Sequence, residues 1–406
     1  MVVLDDLLST RSKNVTRSAI RELLKMTKKP EVISFAGGIP SPDTFPRKQL
    51  AESAKKVIVE NFDKSLQYGT TEGLDDFRTE MLKWLGEFGF EADKEQTIVT
   101  TASQQAIDLV GKTFLEPDDV LFCGLPTYLG AVQSFTVFQA ESVGIPLEED
   151  GMNLDLLEEK IKEYQNAGRK TKFIYVVPDF QNPSGVTMPE TKRKRLLQIA
   201  KEYDLLIFED SPYFGLKFSG ETLTPLWTLD DSGRVLSTVT MSKVLSSGMR
   251  LALLIAQENI VDQLIKMKQA SDLCTPTLTQ WIAADWLKNN DMMEHLKPIQ
   301  ARYKKQRDAM LEALENYFPQ REDIEWTHPK GGLFLWVTLP ENMDAGDLFH
   351  EAVDENVAFV PGENFYVNGK GKNTMRLSFS STSPEEIDEG IKRLAKVVKN
   401  AISLEV

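Results

Sequence analysis

The sequence predicts an α/β protein, with a large, doubly wound, mostly parallel sheet and a smaller α+β domain at its C-terminal end. Short continuous apolar runs alternate with amphipathic stretches through the middle of the chain. That is the pattern of strands buried on both faces and joined by crossover helices. After about residue 280 the alternation gives way to one long helical stretch, three strand-like runs and a final helix. With 406 residues, 41% of them hydrophobic, the chain is long enough to bury two cores.

The elements follow in order. Residues 18–26 are expected to form a short amphipathic helix, and SFAGGIPSPDTFP after it is too rich in Gly and Pro for a helix and is expected to be extended. Residues 97–99 lead into TTASQQAIDLV, 120–123 into GLPTY, 173–177 into PDFQNPSG, 205–208 into EDSPY and 235–239 into TMSK; 251–256 form a further run. Helical stretches fit between them, as at 190–203, where Leu196, Ile199 and Ala200 share one side. A long helix is expected from roughly 298 to 317, then strands in GGLFLWVTL, VAFVP and TMRLSFS. The last helix opens at Ser383-Pro384-Glu385-Glu386, a capping box with Pro at the first helical position. Its apolar stripe is Ile387, Ile391, Leu394 and Val398. The expected organisation is an N-terminal segment at 1–45, a large domain at 46–285 and a small one at 286–406.

Composition excludes several functions. A net charge of -14 argues against nucleic acid, which needs a concentrated positive field. Cys123 and Cys274 make no disulfide framework and no CxxC. His295, His328 and His350 are scattered, without HExxH, and no GxSxG occurs. Metal sites and Ser-His-Asp chemistry are therefore not expected. The N-terminus carries acids within its apolar part, unlike a secretory signal, and no apolar run approaches the ~20 residues of a membrane span. The expectation is a soluble cytoplasmic protein, with no membrane and no metal.

In an open α/β sheet, ligands gather at the carboxyl ends of the strands. The residues just beyond each run are Ser103 and Gln104 at a helix start, Tyr128, Asn182, Asp210 with Tyr213, then Thr240, Ser242 and Lys243, and finally Arg250. Each has an ordinary reading: Lys243 as a solvated lysine, Asp210 as a helix cap, Asn182 as a turn residue, the tyrosines as core aromatics. Together on one sheet edge they are hard to explain as packing. Lys243 follows a buried-type strand among Met241, Val244 and Leu245. An amine held among apolar groups has a depressed pKa and can form a Schiff base. Thr240, Ser242, Arg250 and the helix start at Ser103 suit a phosphate dianion. Asp210 at the end of a buried strand needs a charged or N–H partner, such as a protonated pyridine nitrogen.

SFAGGIPSPDTFP, LQYGTTEG, TASQQAIDL, PDFQNPSG, FEDSPY, TMSKVLSSGMRL and NTMRLSF, in that order, resemble the fold-type I, class I/II aminotransferases that use pyridoxal phosphate (PLP). The resemblance spans nearly the whole chain. SAIRELLK followed by ISFAGGIP is similar to the branch of 2-aminoadipate/kynurenine and related multi-substrate aminotransferases. It implies the PLP-transferase type I fold, PLP as cofactor, and amino acids and 2-oxo acids as substrates. The implied roles carry over position by position. Lys243 would hold the cofactor as a Schiff base and then shuttle a proton. Asp210 would pair with the pyridinium, Asn182 and Tyr213 with the ring 3'-oxygen, and Tyr128 would stack on the ring. Ala102, Ser103, Gln104, Thr240, Ser242 and Arg250 would hold the phosphate. Thr240 stands where many relatives carry serine, and keeps the hydroxyl. Tyr68 would reach the phosphate of the neighbouring subunit, which implies a homodimer. Arg376 would bind the substrate α-carboxylate as a bidentate fork, with Gly38 leaving room for it. Asn182 borders the same carboxylate. The implied reaction is ping-pong transamination of a 2-aminoadipate, glutamate, aromatic or branched-chain donor, with 2-oxoglutarate as acceptor.

Arg21 either meets a distal substrate carboxylate or is one of a solvated set with Arg17 and Lys25, four residues apart on one helix face. The same fold supports β-lyase and decarboxylating reactions, and some regulators carry such a domain as a non-catalytic PLP-binding sensor behind a DNA-binding domain. Against the sensor stand the acidic charge and a resemblance already begun near residue 18; against a non-catalytic PLP-binding or structural protein stands the joint presence of Lys243, Asp210 and Arg376.

Overall fold

The computed structural model describes residues 4–15 and 31–404. The helix expected at 18–26, with Arg17, Arg21 and Lys25, lies outside them. The strands in chain order are β1 (Ile33–Ser34), β2 (Thr97–Thr100), β3 (Val120–Leu125), β4 (Glu141–Glu148), β5 (Gly151–Met152), β6 (Thr171–Val176), β7 (Leu206–Asp210), β8 (Val235–Thr240) and β9 (Ala252–Ile255). They continue as β10 (Glu325–Trp326), β11 (Phe334–Thr338), β12 (Val357–Ala358), β13 (Val360–Pro361) and β14 (Thr374–Ser378).

Eight strands form the large sheet in the order β2-β9-β8-β7-β6-β3-β4-β5. The five from β8 to β4 run parallel. All residues of β2, β3, β8 and β9 are buried, as continuous apolar strands covered on both faces must be. Strand β9 is antiparallel to both neighbours, with Ala252 opposite Thr240 on one side and Thr100 on the other. Its entry therefore lies on the edge where β2 and β8 end. That one reversal brings Arg250, just before β9, to the same rim as Lys243 and the helix Ala102–Phe114.

The second sheet, β10-β11-β14-β13, is antiparallel. Arg376 sits in its interior on β14, opposite Trp336 on β11 and Val360 on β13. The glycine segment near the N-terminus joins this end of the chain. Strand β1 pairs with β12, Phe35 N–H donates to the Ala358 carbonyl at 2.7 Å, and Ser378 N–H donates to the Phe35 carbonyl at 2.8 Å. Residues 36–38 are thereby carried across to the large sheet's edge. The final helix, Pro384–Leu404, opens with the reciprocal Ser383–Glu386 bonds of a capping box. Ile387, Ile391, Leu394 and Val398 are fully buried along its length.

Three local differences from the sequence expectation have simple causes. The long helix is Met292–Tyr317 and begins two turns before Pro298, because Asp291 caps it through the Met293 and Glu294 N–H groups. VAFVP is split between β12 and β13 of two different sheets. Strand β4 escaped notice because near the sheet edge its residues are only partly buried, and ESVGIPLE lacks a continuous apolar run. No helix among the described residues is long and apolar enough to cross a membrane.

Candidate active site

Lys243 leaves the end of β8 and is partly buried, and its Nζ donates to the Gly38 carbonyl at 3.0 Å. Burial lowers its pKa from the ordinary lysine value to about 8, aided by the positive charges of Arg376 and Arg250 and opposed by Asp210. On the preceding strand, which is also its neighbour in the sheet, Asp210 ends β7. Its Oδ2 accepts from the Tyr175 hydroxyl at 2.8 Å, whereas Oδ1 is buried with no hydrogen-bond partner. Burial raises its pKa to about 7, against the lowering effect of Tyr175 and Lys243. A buried carboxylate oxygen without a donor is costly. An N–H bearing positive charge on a planar ring meets that need.

The cradle for an anion lies beside Lys243. The Thr240 hydroxyl shares its one proton between Ser242 Oγ at 2.9 Å and the Leu251 carbonyl at 3.1 Å, and accepts from the Ser242 N–H at 3.1 Å. The helix Ala102–Phe114 begins against them, and its N-cap Thr101 gives it no side-chain cap. Ala102 (φ 59°) and Arg250 (φ 54°) both adopt the left-handed conformation, and the Ala102 N–H donates to the Arg250 carbonyl at 3.1 Å. Ala102 thus spends its own N–H on Arg250 and turns the chain, so that the amides of the next residues face outward. Ser103 lies within 3.5 Å of the Thr238 hydroxyl. The Arg250 side chain is exposed. The Gln104 side chain serves another group, leaving its backbone amide for an anion: Nε2 donates to the Gly130 carbonyl and Ser134 Oγ, and Oε1 accepts from the Tyr128 hydroxyl at 3.2 Å. Tyr128, at the start of the helix Leu129–Val137, is held in place by that contact and by Gly130, where a Cβ would come within 2.5 Å of the ring.

Arg376 closes the other side. It is buried, with its guanidinium 4.3 Å from the Phe334 ring centroid and 5.0 Å from that of Phe365. Nη1 donates to Asn182 Oδ1 at 3.0 Å and Nη2 to the Ala36 carbonyl at 2.8 Å, while Nε is buried with no partner. Burial lowers its pKa to about 10, so it remains a cation at neutral pH. A Cβ on Gly38 would lie 2.9 Å from Phe334 Cζ and 3.7 Å from Arg376 Nη1. Tyr213 is buried edge-on to Phe334 at 5.8 Å, and burial holds its hydroxyl pKa well above the usual phenol value.

The structure brings Lys243, Asp210, Asn182, Tyr213, Tyr128, Gly38 and Arg376 to one cleft, with Ala102, Ser103, Gln104, Thr240, Ser242 and Arg250 at its rim. Tyr68 stands apart at the surface, 80% exposed. Sequence reasoning missed Tyr175 and Phe334. In TKFIYV, Tyr175 looks like any core aromatic. The signal appears only in the register: Tyr175 is opposite Phe208, on the sheet face that Asp210 shares two residues later. Phe334 was hidden within an apolar strand.

Residues 30–394 match the family described as aminotransferase class I and II. The chain belongs to that family. It is a PLP-dependent aminotransferase of the aromatic/2-aminoadipate/kynurenine branch, and its substrates are amino and oxo acids. The aromatic-amino-acid aminotransferase 1 of Thermococcus litoralis is 44% identical to this aminotransferase, over 96% of this chain and 94% of that protein. The multiple substrate aminotransferase of Thermococcus profundus superposes with a TM-score of 0.94 at 43% identity, covering 99% of this chain and 100% of that one. The alpha-aminoadipate aminotransferase of Thermus thermophilus, solved with N-(5'-phosphopyridoxyl)-L-leucine, superposes with a TM-score of 0.91 at 37% identity, covering 99% and 100%. The residues of the cleft fit PLP: an amine of lowered pKa, an orphaned carboxylate oxygen for the pyridinium and a hydroxyl-rich helix start for the phosphate.

Proposed function

We propose that this aminotransferase moves the amino group of an L-amino acid of 2-aminoadipate, glutamate, aromatic or branched-chain type to 2-oxoglutarate, with ping-pong kinetics. The observation that carries the reading is Arg376, a buried guanidinium with an unpartnered Nε, set beside Gly38 and across from Lys243. A guanidinium so placed takes an α-carboxylate through a planar fork and turns the substrate's Cα toward the lysine.

PLP, when bound, supplies the electron sink and carries the amino group between half-reactions. The chain supplies the rest. Asp210 keeps a positive charge on the ring nitrogen through its free Oδ1. Asn182 and Tyr213 hold the ring oxygen, and Tyr128 covers the ring face. Ser103, Gln104, Thr240, Ser242 and Arg250 hold the phosphate, with Ala102 providing the turn. Lys243 Nζ would hold the cofactor when no substrate is bound and, once free, would take the proton from the substrate Cα. An amine of pKa about 8 is neutral in a useful fraction of molecules near pH 7, which an ordinary lysine is not.

The large unit at 46–285 carries the cofactor site in this reading, and 286–406, with the segment at 1–45, brings Arg376 and Gly38 over it. The active form is a homodimer. Ile58, Val59, Phe62, Leu66 and Tyr68 form an exposed apolar band around the helices Arg47–Glu60 and Phe62–Ser65, which supports a second copy packing there and Tyr68 reaching that copy's phosphate. Arg21 would read a distal carboxylate.

The test is a panel of amino donors with 2-oxoglutarate, with oxo acid, ammonia and carbon dioxide followed together. Expected is oxo-acid formation that depends on the acceptor, with parallel double-reciprocal plots. Ammonia or carbon dioxide released without an acceptor would overturn the reading.

A further inference from the structure

Behind the proposed phosphate cradle lies a polar network that the proposed chemistry leaves unused. Lys268, near the end of the helix Glu258–Gln269, has no exposed side-chain surface. Its Nζ donates to Gln105 Oε1 at 2.8 Å and to both oxygens of Asp272, at 2.9 and 3.0 Å. Gln105 Oε1 also accepts the Thr101 N–H at 2.7 Å, and Gln105 Nε2 donates to Asp272 Oδ2 at 2.6 Å. One Gln105 oxygen therefore serves two donors, the buried ammonium and the amide that precedes the helix.

We infer that Lys268 is a positioning residue for the cofactor phosphate, acting through Gln105 on the turn Thr101–Ala102. The inference rests on the reading that the start of the helix Ala102–Phe114 holds that phosphate.

The reason is mechanical. Thr101 offers this helix no side-chain cap, and Ala102 is left-handed, a conformation that an alanine keeps only when its surroundings impose it. Ala102 N–H to the Arg250 carbonyl, and Thr101 N–H to Gln105, help impose it, beside the Thr100 hydroxyl to the Ala102 carbonyl at 3.2 Å and the Thr101 hydroxyl to Asp272 Oδ2 at 3.5 Å. The second needs the Gln105 side chain to fold back along its own helix. A glutamine has several rotamers, and the charge-assisted bonds from Lys268 and to Asp272 select this one. Without Lys268 the glutamine keeps only its bond to Asp272 and turns away more readily, the Thr101 amide loses its fixed acceptor, and the turn ahead of the next amides relaxes. Lys268 and Asp272 cancel in charge, so the pair adds little attraction for a dianion. The effect passes through geometry, and it falls on the phosphate and not on the ring.

The experiment compares PLP with pyridoxal, which offers the same ring and aldehyde without the phosphate. Full-length protein is freed of cofactor, and each compound is titrated by the absorbance change on condensation with Lys243. Wild type should prefer PLP strongly. In Lys268→Met and in Gln105→Leu, the Kd for PLP should rise about tenfold or more, as loss of a charge-assisted bond implies, with pyridoxal affected less than about twofold. An unchanged Kd for PLP, or equal weakening of both compounds, in either soluble variant overturns the inference while wild-type preference for PLP keeps the cradle standing. If Lys268→Met fails to accumulate, Gln105→Leu decides by the same criteria. A wild type without preference for PLP overturns the cradle and this inference together.

Discussion

Gly38→Ala tests the proposed carboxylate site most directly. The added methyl would lie 2.9 Å from Phe334 Cζ and 3.2 Å from Cε1, well inside ordinary carbon–carbon contact. Phe334 has little room to yield. It is buried, with the Arg376 guanidinium 4.3 Å away on one side and the Tyr213 ring edge-on at 5.8 Å. Relief comes from displacing Phe334, and Arg376 moves with it, or from lifting the glycine segment. Overpacking of this kind costs about 1–3 kcal/mol. Spent on substrate binding, that raises KM for amino donors about five- to 160-fold. Cofactor content should stay near one per chain, because Gly38 meets Lys243 only through its backbone carbonyl, which Gly38→Ala keeps, and touches neither Asp210 nor the helix start. The assay is steady-state transamination with donor varied, alongside cofactor absorbance and a thermal melt. Arg376→Lys should raise KM as well, and the double variant should fall short of the product of the two effects, since both act on one carboxylate. A Gly38→Ala enzyme whose KM stays within about twofold of wild type, at unchanged melting temperature, would refute the placement of the substrate carboxylate.

Three further outcomes are expected. The rate at which cofactor-free protein captures PLP should climb about tenfold per pH unit below pH 8 and level off above it, because the reactive neutral form of Lys243 grows as its ammonium titrates near 8; a climb that continues to pH 10 would mark an ordinary lysine. Asp210→Asn should cut transamination at least tenfold, roughly the loss of one hydrogen bond to a charged group. Its melting temperature should not fall, since Asp210 is a buried carboxyl already pushed up to about 7, and a variant that melts earlier with its rate intact would contradict the assigned role. Phe62→Asp, at a side chain 63% exposed in the isolated chain, should convert dimer to monomer in sedimentation and lower activity with it; a monomeric and active wild type would end the dimer reading.

Much of this site was legible because α/β folds place chemistry at strand ends, and strand ends are marked locally. An apolar run of four to six residues followed by a polar residue needs no alignment to be noticed, and Asp210, Lys243 and Asn182 were found that way. Other positions had no local mark. Tyr175 is one aromatic among several in a buried strand, and its bond to Asp210 exists only because β6 and β7 pair in a register that puts both on one face. Lys268 has the sequence of a surface helix, ENIVDQLIKMKQ, yet its side chain is wholly enclosed.

By itself the sequence determined the alternation of strands and helices, the change of pattern after about residue 280 and the set of polar residues at the strand ends. These depend on hydrophobic period and turn chemistry, which are properties of neighbouring residues. Only the tertiary structure decided that β9 runs against its neighbours and so returns Arg250 to the rim. It alone decided that Arg376 meets Asn182 across 194 residues of chain, and that Gly38 arrives over Lys243 by pairing the N-terminal segment with β12 and β14. Such meetings are settled by strand direction, register and the burial of charges against distant partners, and no window of sequence contains both sides of any of them.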